Sequence, residues 1–305
     1  MLAILWLAWA VFASALTAES LWLDEVSSIF NAQLPAVQVV QEAAADTHPP
    51  LYYLVLHVTI RVLFGEQPLQ GSAGEFVARL PSVMAAMFSV ALMLPLGRRA
   101  LRHVTPVRGN EPTVAGLSAA LLLALSAYAR WYAQEARMYA LLTLCGIVST
   151  YLLLRAIDEG RWRWWLAYGV AAVCGLYTHY YFLMVLLFQN VFVVGLWIVM
   201  QRRHRPHSGS LAWQWLAAQG FILLAFAPWI PILLTQVGRG EGLWIALAVG
   251  RPDLASLGYM AKLYSGIPSV GPALLSGAGY VLAGGLAAWG MWQVRRPVRS
   301  ISHRG

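Results

Sequence analysis

The chain contains eight runs of almost uninterrupted apolar residues. They cover residues 1–16, 79–96, 113–128, 138–154, 164–177, 182–200, 211–234 and 272–294. A helix needs about 20 apolar residues to cross a bilayer, because each residue adds about 1.5 Å to a path about 30 Å long. Apolar residues make up 59% of the 305 positions and charged residues 11%, whereas soluble domains have about 25% charged residues. The sequence therefore excludes a soluble globular domain and a disordered chain, and it predicts an all-α, polytopic membrane protein.

Arginine residues gather in three loops and in the C-terminal tail. These segments are 98–108, 155–163, 202–205 and 295–304. Because cationic loops stay in the cytoplasm, we expect all four on that side, and eight spans with both termini inside satisfy this condition. The first apolar run lacks a basic flank, so we interpret it as an uncleaved span in a plasma or inner membrane. The net charge of +8 then reflects topology, and we exclude nucleic acid as a partner because the chain has no basic domain.

The first predicted outer loop is long, about residues 17–75, and contains two stretches with helical patterns. In its front half, apolar residues follow helical spacing from Val26 to Val40, and Pro35 is expected to kink this helix or divide it in two. Residues 51–64 are also apolar, but as a helix they cover only about 21 Å. Since the hydrocarbon core is about 30 Å thick, this second stretch is too short to be a span.

The second stretch also has a polar stripe. Tyr53, His57 and Arg61 recur at every fourth residue, and a polar stripe on a short apolar helix is typical of a helix that lies in the membrane interface. We therefore predict a bundle of about eight transmembrane helices with two interfacial helices in the first outer loop. All 305 residues form a single membrane domain, with a motif-bearing core over 1–200 and C-terminal spans over 201–305.

Most of the 13 acidic residues fall in predicted outer segments, several of them next to span ends. A charge is costly there unless it is paired or hydrated, which points to a polar cavity that opens outward. Asp24 and Glu25 stand just after the first span. Neighbouring side chains on a helix differ by about 100° in direction, so one carboxylate can face the cavity while the other caps the helix. The alternative is that both only stabilise the start of a helix through its dipole.

The segment that begins at Arg130 lies in a second predicted outer loop, between two spans. If it is helical, Arg130, Gln134 and Arg137 lie near one face, and Glu135 reaches Tyr139 at i, i+4. Two arginines beside aromatic residues can hold a phosphate through their forked donors. The alternative is an aromatic belt with snorkelling arginines. Because Arg137 is predicted outside, against the charge bias of the loops, we favour a functional role for it.

Two histidines fall in predicted outer loops. His48 precedes two prolines that stiffen the backbone, and His179 precedes Tyr180 in the motif Thr178-His179-Tyr180-Tyr181. Each histidine can hydrogen-bond a substrate, lie in the interface, or bind a metal together with an acid. The sequence contains no helix-spaced pair of ligands, no glycine-rich phosphate loop and no nucleophile elbow.

In their order and spacing, five short motifs resemble those of the dolichyl-phosphate-mannose protein mannosyltransferases, within the membrane-embedded GT-C class of glycosyltransferases. They are Leu23-Asp24-Glu25, Thr47-His48-Pro49-Pro50-Leu51-Tyr52-Tyr53, Glu75-Phe76-Val77-Ala78-Arg79-Leu80-Pro81-Ser82, Tyr132-Ala133-Gln134-Glu135-Ala136-Arg137-Met138-Tyr139 and Tyr177-Thr178-His179-Tyr180. The match covers about residues 21–181, and the rest of the chain resembles the family only as apolar spans. The chain also departs from the family, whose members are usually longer and have more C-terminal spans.

The resemblance implies a transferase that uses a lipid-phosphate sugar donor on the extracytoplasmic face, with Asp24 in the place of the catalytic base. Some relatives bind a divalent metal near the donor phosphate, which makes His48 and His179 candidate ligands; no other cofactor is expected. Together, the motifs and the resemblance give a set of candidate substrate-binding residues: Glu25, His48, Arg130, Gln134, Glu135, Arg137, Tyr139, His179 and Tyr180.

The chemistry of sugar transfer suits this set of residues. A polyprenyl phosphate leaves as a stable anion and benefits from a nearby cation, and the acceptor hydroxyl needs one general base. A glycosidase would need two opposed carboxylates about 5–10 Å apart, and no clear pair is evident. We therefore expect inverting transfer from a polyprenyl-phosphate sugar to a hydroxyl of a glycan, a lipid or a protein. The alternatives are a transporter or flippase for lipid-linked sugars and a non-catalytic binding subunit.

Overall fold

The structure is a computed structural model that describes residues 1–239 apart from 15, 66–68, 70, 105–108 and 203–207. Within these ranges every regular element is a helix, which confirms the predicted all-α class. The predicted eighth span, 272–294, and the C-terminal arginines lie outside the described residues.

Twelve α-helices and one short 3₁₀-helix follow one another along the described chain. They are α1 (Leu2–Ala13), α2 (Leu23–Gln33), α3 (Ala36–Ala45), α4 (Leu51–Phe64), α5 (Gly71–Val104), α6 (Glu111–Ala124), α7 (Ala127–Ala133), α8 (Tyr139–Glu159), α9 (Trp162–Thr178), α10 (Phe182–Arg202), α11 (Ser208–Phe226), the 3₁₀-helix Ala227–Trp229 and α12 (Ile230–Gly238).

Four helical segments are long and apolar enough to cross a membrane, and together with the family reported below they make this an integral membrane protein. These segments are Gly71–Leu101, Tyr139–Glu159, Phe182–Arg202 and Gly209–Gly238. Helices α6 and α7 meet at an angle of 60° and form a fifth candidate span. Helices α1 and α9 coincide with predicted spans but have only 12 and 17 residues. The count of eight spans therefore stays a prediction.

Contacts between helix termini define two ends of the bundle in the described part of the chain. At one end, Arg99 Nη1 lies 2.7 Å from Asp158 Oδ2, and the Gln214 amide donates to the Gly160 carbonyl at 3.0 Å. Arg99, Arg155 and Arg163 lie at this end, which we call the arginine end. At the opposite end, the Gln134 amide donates to the carbonyls of Phe12 and Ser14 at 3.1 and 2.7 Å. We call this the site end, because the predicted site residues lie there.

The first long loop folds as predicted into short helices that cover the site end. Helix α4 has the predicted bounds, and Pro35 divides the preceding stretch into α2 and α3. Proline has no amide hydrogen and fixes its own φ, which explains the break at this position. Whether these helices lie in a membrane interface stays a prediction.

The polar stripe on α4 faces protein. The Tyr53 hydroxyl donates to Asp46 Oδ2 at 3.4 Å, and His57 Nδ1 donates to the carbonyl of Ala32 at 2.8 Å. Arg61 donates to the carbonyl of Gln33 at 3.4 Å. The last carbonyls of a helix have no intrahelical donor, and α4 supplies donors to the end of α2. The exposed face of α4 is instead apolar, with Val58, Val62 and Leu63.

Close packing fixes the turn that carries His179. An added Cβ on Gly175 would collide with the ring of Phe182, so α9 and α10 meet at a position that only glycine allows. Phe182 is fully buried within a core that also contains Tyr52, Leu56 and Tyr168. The α9–α10 turn is therefore packed closely against a core that includes α4.

Candidate functional site

A buried ion pair between Glu25 and Arg79 organises the site end. Arg79 Nε lies 2.9 Å from Glu25 Oε1 and Arg79 Nη2 lies 2.8 Å from Glu25 Oε2. The exposed fractions of the two side chains are 1% for Glu25 and 5% for Arg79. A forked guanidinium matches both carboxylate oxygens, and this geometry offsets part of the desolvation cost.

Further hydrogen bonds link this pair to three backbone segments. Glu25 is the third residue of α2, and its Oε2 accepts the amide of Trp22 at 3.3 Å, as in a capping box. Its Oε1 accepts the amide of Ala136 at 2.8 Å. Arg79 donates to the carbonyls of Leu16 and Glu19. The ion pair therefore connects the loop after α1, the start of α2, helix α5 and the segment after α7.

Asp24 points away from this buried pair. Its side chain is 41% exposed, and its Oδ2 lies 3.5 Å from Arg137 Nη2. The prediction that Asp24 and Glu25 face different surroundings is confirmed. Asp24 is thus an accessible carboxylate in the first turn of α2, beside a cation.

Arg137 is buried but incompletely paired. Its Nη1 lies 3.4 Å from Ser28 Oγ and 3.5 Å from the carbonyl of Asp24, which are long distances, and Tyr139 is a further hydrogen-bond partner of the side chain. Its Nε has no hydrogen-bond partner within the part of the chain that the structure describes. A buried donor without a partner costs about 1–3 kcal/mol, and more for a charged group. An anion that reached this guanidinium would find the Nε donor unused.

The segment from Arg130 to Tyr139 is not one helix, so the predicted shared face of Arg130, Gln134 and Arg137 is wrong. Helix α7 ends at Ala133 and α8 begins at Tyr139. The intervening amides bond elsewhere, since that of Ala136 donates to Glu25 instead of continuing a helix.

The other predicted residues of this segment lie in separate places. Arg130 is exposed on the last turn of α7, and the side chain of Gln134 caps the end of α1. The ring of Tyr139 packs at 4.5 Å from that of Tyr132 and at 5.7 Å from that of His179. Helical i, i+4 spacing therefore does not relate Tyr139 to Glu135.

Glu135 is a buried carboxyl beside the site. Burial raises its pKa to about 7, and a hydrogen bond from Trp131 opposes this rise. The negative charges of Glu25 and Asp24 raise the pKa further, while the positive charge of Arg137 lowers it. The Glu135 carboxyl is consequently near half protonation at neutral pH.

The structure brings together the two histidines that are far apart in the sequence. The ring centroids of His48 and His179 are 5.3 Å apart. Burial lowers the pKa of His179 to about 4, and the charges of His48 and Arg137 lower it further. The amide of Tyr181 donates to His179 Nδ1 at 3.0 Å. The neutral ring therefore carries its proton on Nε2, which is a hydrogen-bond donor.

His48 belongs to a polar loop between α3 and α4. Its Nδ1 lies 2.9 Å from the hydroxyl of Thr47 and 3.8 Å from Asp46 Oδ2. The hydrogen bond with His48 is the main cause that lowers the pKa of Asp46, and burial opposes it.

The described residues do not fit a metal centre. No group of three or more His, Cys, Asp or Glu side chains is placed to hold an ion in the described ranges. A metal would also need the lone pair of His179 Nε2, the atom that carries the proton while Nδ1 accepts an amide. We therefore derive no chemical step through a metal.

Tyr180 is part of a hydrogen-bond network that sequence patterns did not reveal. Its hydroxyl donates to Gln236 Oε1 and accepts the indole of Trp229 at 2.9 Å. The amide of Gln236 donates to the carbonyls of Ala43 and Asp46 at 3.1 and 2.6 Å. Gln236 was not expected here, although a buried amide in an apolar helix usually has such a partner. Arg79 gives a related signal, because it is a charged residue at the start of a predicted span and therefore needs a partner.

The model of one protein family, described as dolichyl-phosphate-mannose-protein mannosyltransferase, matches residues 47–232. This match covers more than half of the chain. The chain belongs to this family. The resemblance drawn from the short motifs is thereby confirmed, and the protein is a membrane glycosyltransferase of the GT-C type. No curated protein and no solved structure matches the chain.

Proposed function

We propose that the protein transfers a sugar from a polyprenyl-phosphate donor to an acceptor hydroxyl at the site end of the bundle. The observation that carries the proposal is the pairing of an accessible carboxylate, Asp24, with a buried and under-satisfied cation, Arg137, 3.5 Å away. These are the two groups that the reaction needs, a general base and a partner for the leaving phosphate. Family membership supports glycosyl transfer, and the donor, the acceptor and the mechanism belong to this proposal.

In the proposed reaction, Arg137 and the Nε2–H of His179 bind the donor phosphate. Asp24 accepts the proton of the acceptor hydroxyl as the hydroxyl oxygen attacks the anomeric carbon of the sugar. The bond from that carbon to the phosphate oxygen breaks at the same time, and polyprenyl phosphate leaves with the electron pair. A single displacement of this kind inverts the configuration at the sugar carbon. No second carboxylate takes part, unlike in a retaining glycosidase.

The other predicted residues receive different parts in this proposal. Arg130 is exposed and available to a donor headgroup, while Tyr139 packs on His179 beside the proposed phosphate contacts. Gln134 and Tyr180 use their polar groups within the protein, so we assign them a supporting part. The acceptor is a hydroxyl of a glycan, a lipid or a protein.

The decisive experiment measures sugar transfer and sugar release by purified protein with a panel of labelled polyprenyl-phosphate sugars. We expect one donor to be turned over, and we expect the Asp24→Asn variant to bind that donor without turning it over. Movement of intact donor across a vesicle without sugar release would instead indicate a flippase. Binding without release or movement would indicate a non-catalytic subunit.

We further propose that the site end faces the extracytoplasmic side of a plasma or inner membrane. The position of Arg99, Arg155 and Arg163 at the opposite end supports this orientation. Glu42 and Arg161 are exposed at the two ends. In a chain whose own cysteines are replaced, Glu42→Cys should react with an impermeant thiol reagent in intact cells, and Arg161→Cys only after permeabilisation. The reverse labelling pattern would contradict the orientation.

A further inference from the structure

We propose that Glu25 and Arg79 are positioning residues that hold Asp24 and Arg137 in register. This inference rests on the proposed function, in which Asp24 and Arg137 contact the substrates. Neither Glu25 nor Arg79 is open to substrate, since their side chains are 1% and 5% exposed. Glu25 was predicted to bind substrate, and its geometry supports this different role.

The argument begins with the weakness of the direct contact. Arg137 and Asp24 approach no closer than 3.5 Å, which is too long for a charge-assisted hydrogen bond of about 2.7–2.9 Å. This contact alone would not hold the carboxylate and the guanidinium in place. Something else must fix the distance between the first turn of α2 and the segment after α7.

Glu25 makes that connection through both its backbone and its side chain. It follows Asp24 directly in α2, and its Oε1 accepts the amide of Ala136, the residue directly before Arg137, at 2.8 Å. Consecutive Cα atoms are about 3.8 Å apart, so each of the two proposed site residues is one step from this hydrogen bond. The carboxylate thus joins the two segments beside the groups that must act together.

Arg79 fixes the carboxylate in turn. Arg79 belongs to α5 and donates to both carboxylate oxygens of Glu25. Its remaining nitrogen donates to the carbonyls of Leu16 and Glu19. The Glu25 side chain cannot rotate away without leaving buried charges unpaired. Arg79 therefore prevents the hydrogen bond to Ala136 from being lost.

A buried ion pair is weak evidence for a stabilising role. Replacement of such a pair by apolar residues of similar volume is often neutral or stabilising, whereas removal of one partner is strongly destabilising. This difference separates a positioning role from a structural one. An apolar double replacement removes the link to Ala136 without leaving an unpaired charge.

The test compares three variants of the full chain with the parent in detergent or nanodiscs. They are Glu25→Asp, Glu25→Gln and the double variant Glu25→Leu with Arg79→Met. The matched control is Asp158→Asn, which removes an ion pair of similar length at the arginine end. Hydrogen exchange of the peptide that contains residues 134–138 reports the link directly. Transfer kinetics at varied donor concentration report its effect on the site.

We expect faster exchange in this peptide for all three variants, and parent-like exchange for Asp158→Asn. The donor KM should rise about tenfold to a hundredfold, which corresponds to the loss of a hydrogen bond to a charged group. Glu25→Asp keeps the charge but is one methylene shorter, so it cannot reach Arg79 and Ala136 together. The double variant should keep the parent's thermal stability and still show the raised KM.

A double variant with the parent's KM and kcat would overturn the proposal, and so would unchanged exchange in Glu25→Gln. If the double variant does not fold, Glu25→Asp decides the question by the same two measurements. If the parent transfers no sugar from any donor, the proposed function fails. The exchange measurement then still decides whether Glu25 holds the segment.

Discussion

The two ends of the bundle both carry an arginine–carboxylate pair, and the two pairs differ mainly in burial. The closest atoms are 2.8 Å apart in Arg79–Glu25 and 2.7 Å apart in Arg99–Asp158. The exposed fractions are 5% and 1% for Arg79 and Glu25, but 20% and 33% for Arg99 and Asp158. An exposed pair contributes about 0–1 kcal/mol to stability. Distance therefore does not distinguish the two pairs, whereas burial and the additional backbone partners do.

The neighbours of each pair show the same contrast. At the arginine end, Arg155 lies over the ring of Trp164 at 3.6 Å and pairs with Glu159 one helical turn away. These are local contacts on the surface of a single helical hairpin. At the site end, Glu25 reaches Ala136 across 111 positions of the chain. Charges at the arginine end therefore make local pairs, whereas a charge at the site end links segments that are distant in the chain.

The largest expected effect comes from the matched pair Asp24→Asn and Asp158→Asn. Asp24→Asn keeps the size of the side chain but cannot accept a proton at neutral pH, so kcat should fall about 10²- to 10⁴-fold. Asp158→Asn should leave kcat within about twofold, because an exposed pair contributes little. The measurement is sugar transfer at saturating donor. Parent-like turnover by Asp24→Asn would show that this carboxylate is not the base.

A smaller effect is expected for Arg137→Lys, with Arg155→Lys as the control at the other end. Lysine keeps the charge but lacks the forked donors, so the dissociation constant for the donor should rise about tenfold, or about 1.4 kcal/mol. Arg155→Lys should leave donor binding unchanged, since this side chain stacks on Trp164 at the arginine end. Equal effects of the two changes on donor binding would show that Arg137 does not bind the donor phosphate.

The smallest expected effect is on the pH dependence of stability. The pKa of Glu135 is raised from 4.5 to about 7, so the folded state binds more protons than the unfolded state between these values. Stability due to Glu135 therefore falls as pH rises from 4.5 to 7, by at most about 1.4 kcal/mol per pH unit. The pKa of His179 is lowered from 6.5 to about 4, so stability due to His179 rises with pH over that window. The two slopes oppose each other.

Single variants should separate these slopes. We expect thermal unfolding midpoints between pH 4.5 and 6.5 to rise with pH in Glu135→Gln and to fall with pH in His179→Gln. Glu159 at the arginine end is the control, because its side chain is 27% exposed and pairs with Arg155 away from the site. Glu159→Gln should follow the parent. A Glu135→Gln variant with the parent's pH profile would show that burial does not raise this pKa.

The sequence predicted the parts of the structure that depend on local patterns. The bounds of α4 and the break at Pro35 follow from apolar spacing and from the missing amide hydrogen of proline. The different directions of Asp24 and Glu25 follow from helical geometry. Periodicity also located the polar stripe on α4, but it could not show that the end of α2 would lie opposite that stripe.

Long-range contacts account for what the sequence did not predict at the site. The segment after α7 leaves the helical path as the amide of Ala136 donates to Glu25 and Gln134 caps α1. Glu25 and the end of α1 are both far from this segment in the chain, so a local sequence pattern could not reveal these contacts. The approach of His48 to His179 likewise depends on how the α3–α4 loop packs on the α9–α10 turn. Such contacts require the tertiary structure.

The side chain of Gln236 reaches the carbonyl of Asp46 across 190 positions of the chain. Because a chain is made from its N-terminus, the carbonyls at the end of α3 lack this amide until α12 has been synthesised. A nascent chain that stops before Gln236 already contains every proposed site residue, yet the loop with His48 lacks its final support. The support that Gln236 gives to the loop of the proposed site is thus among the last contacts that synthesis makes available.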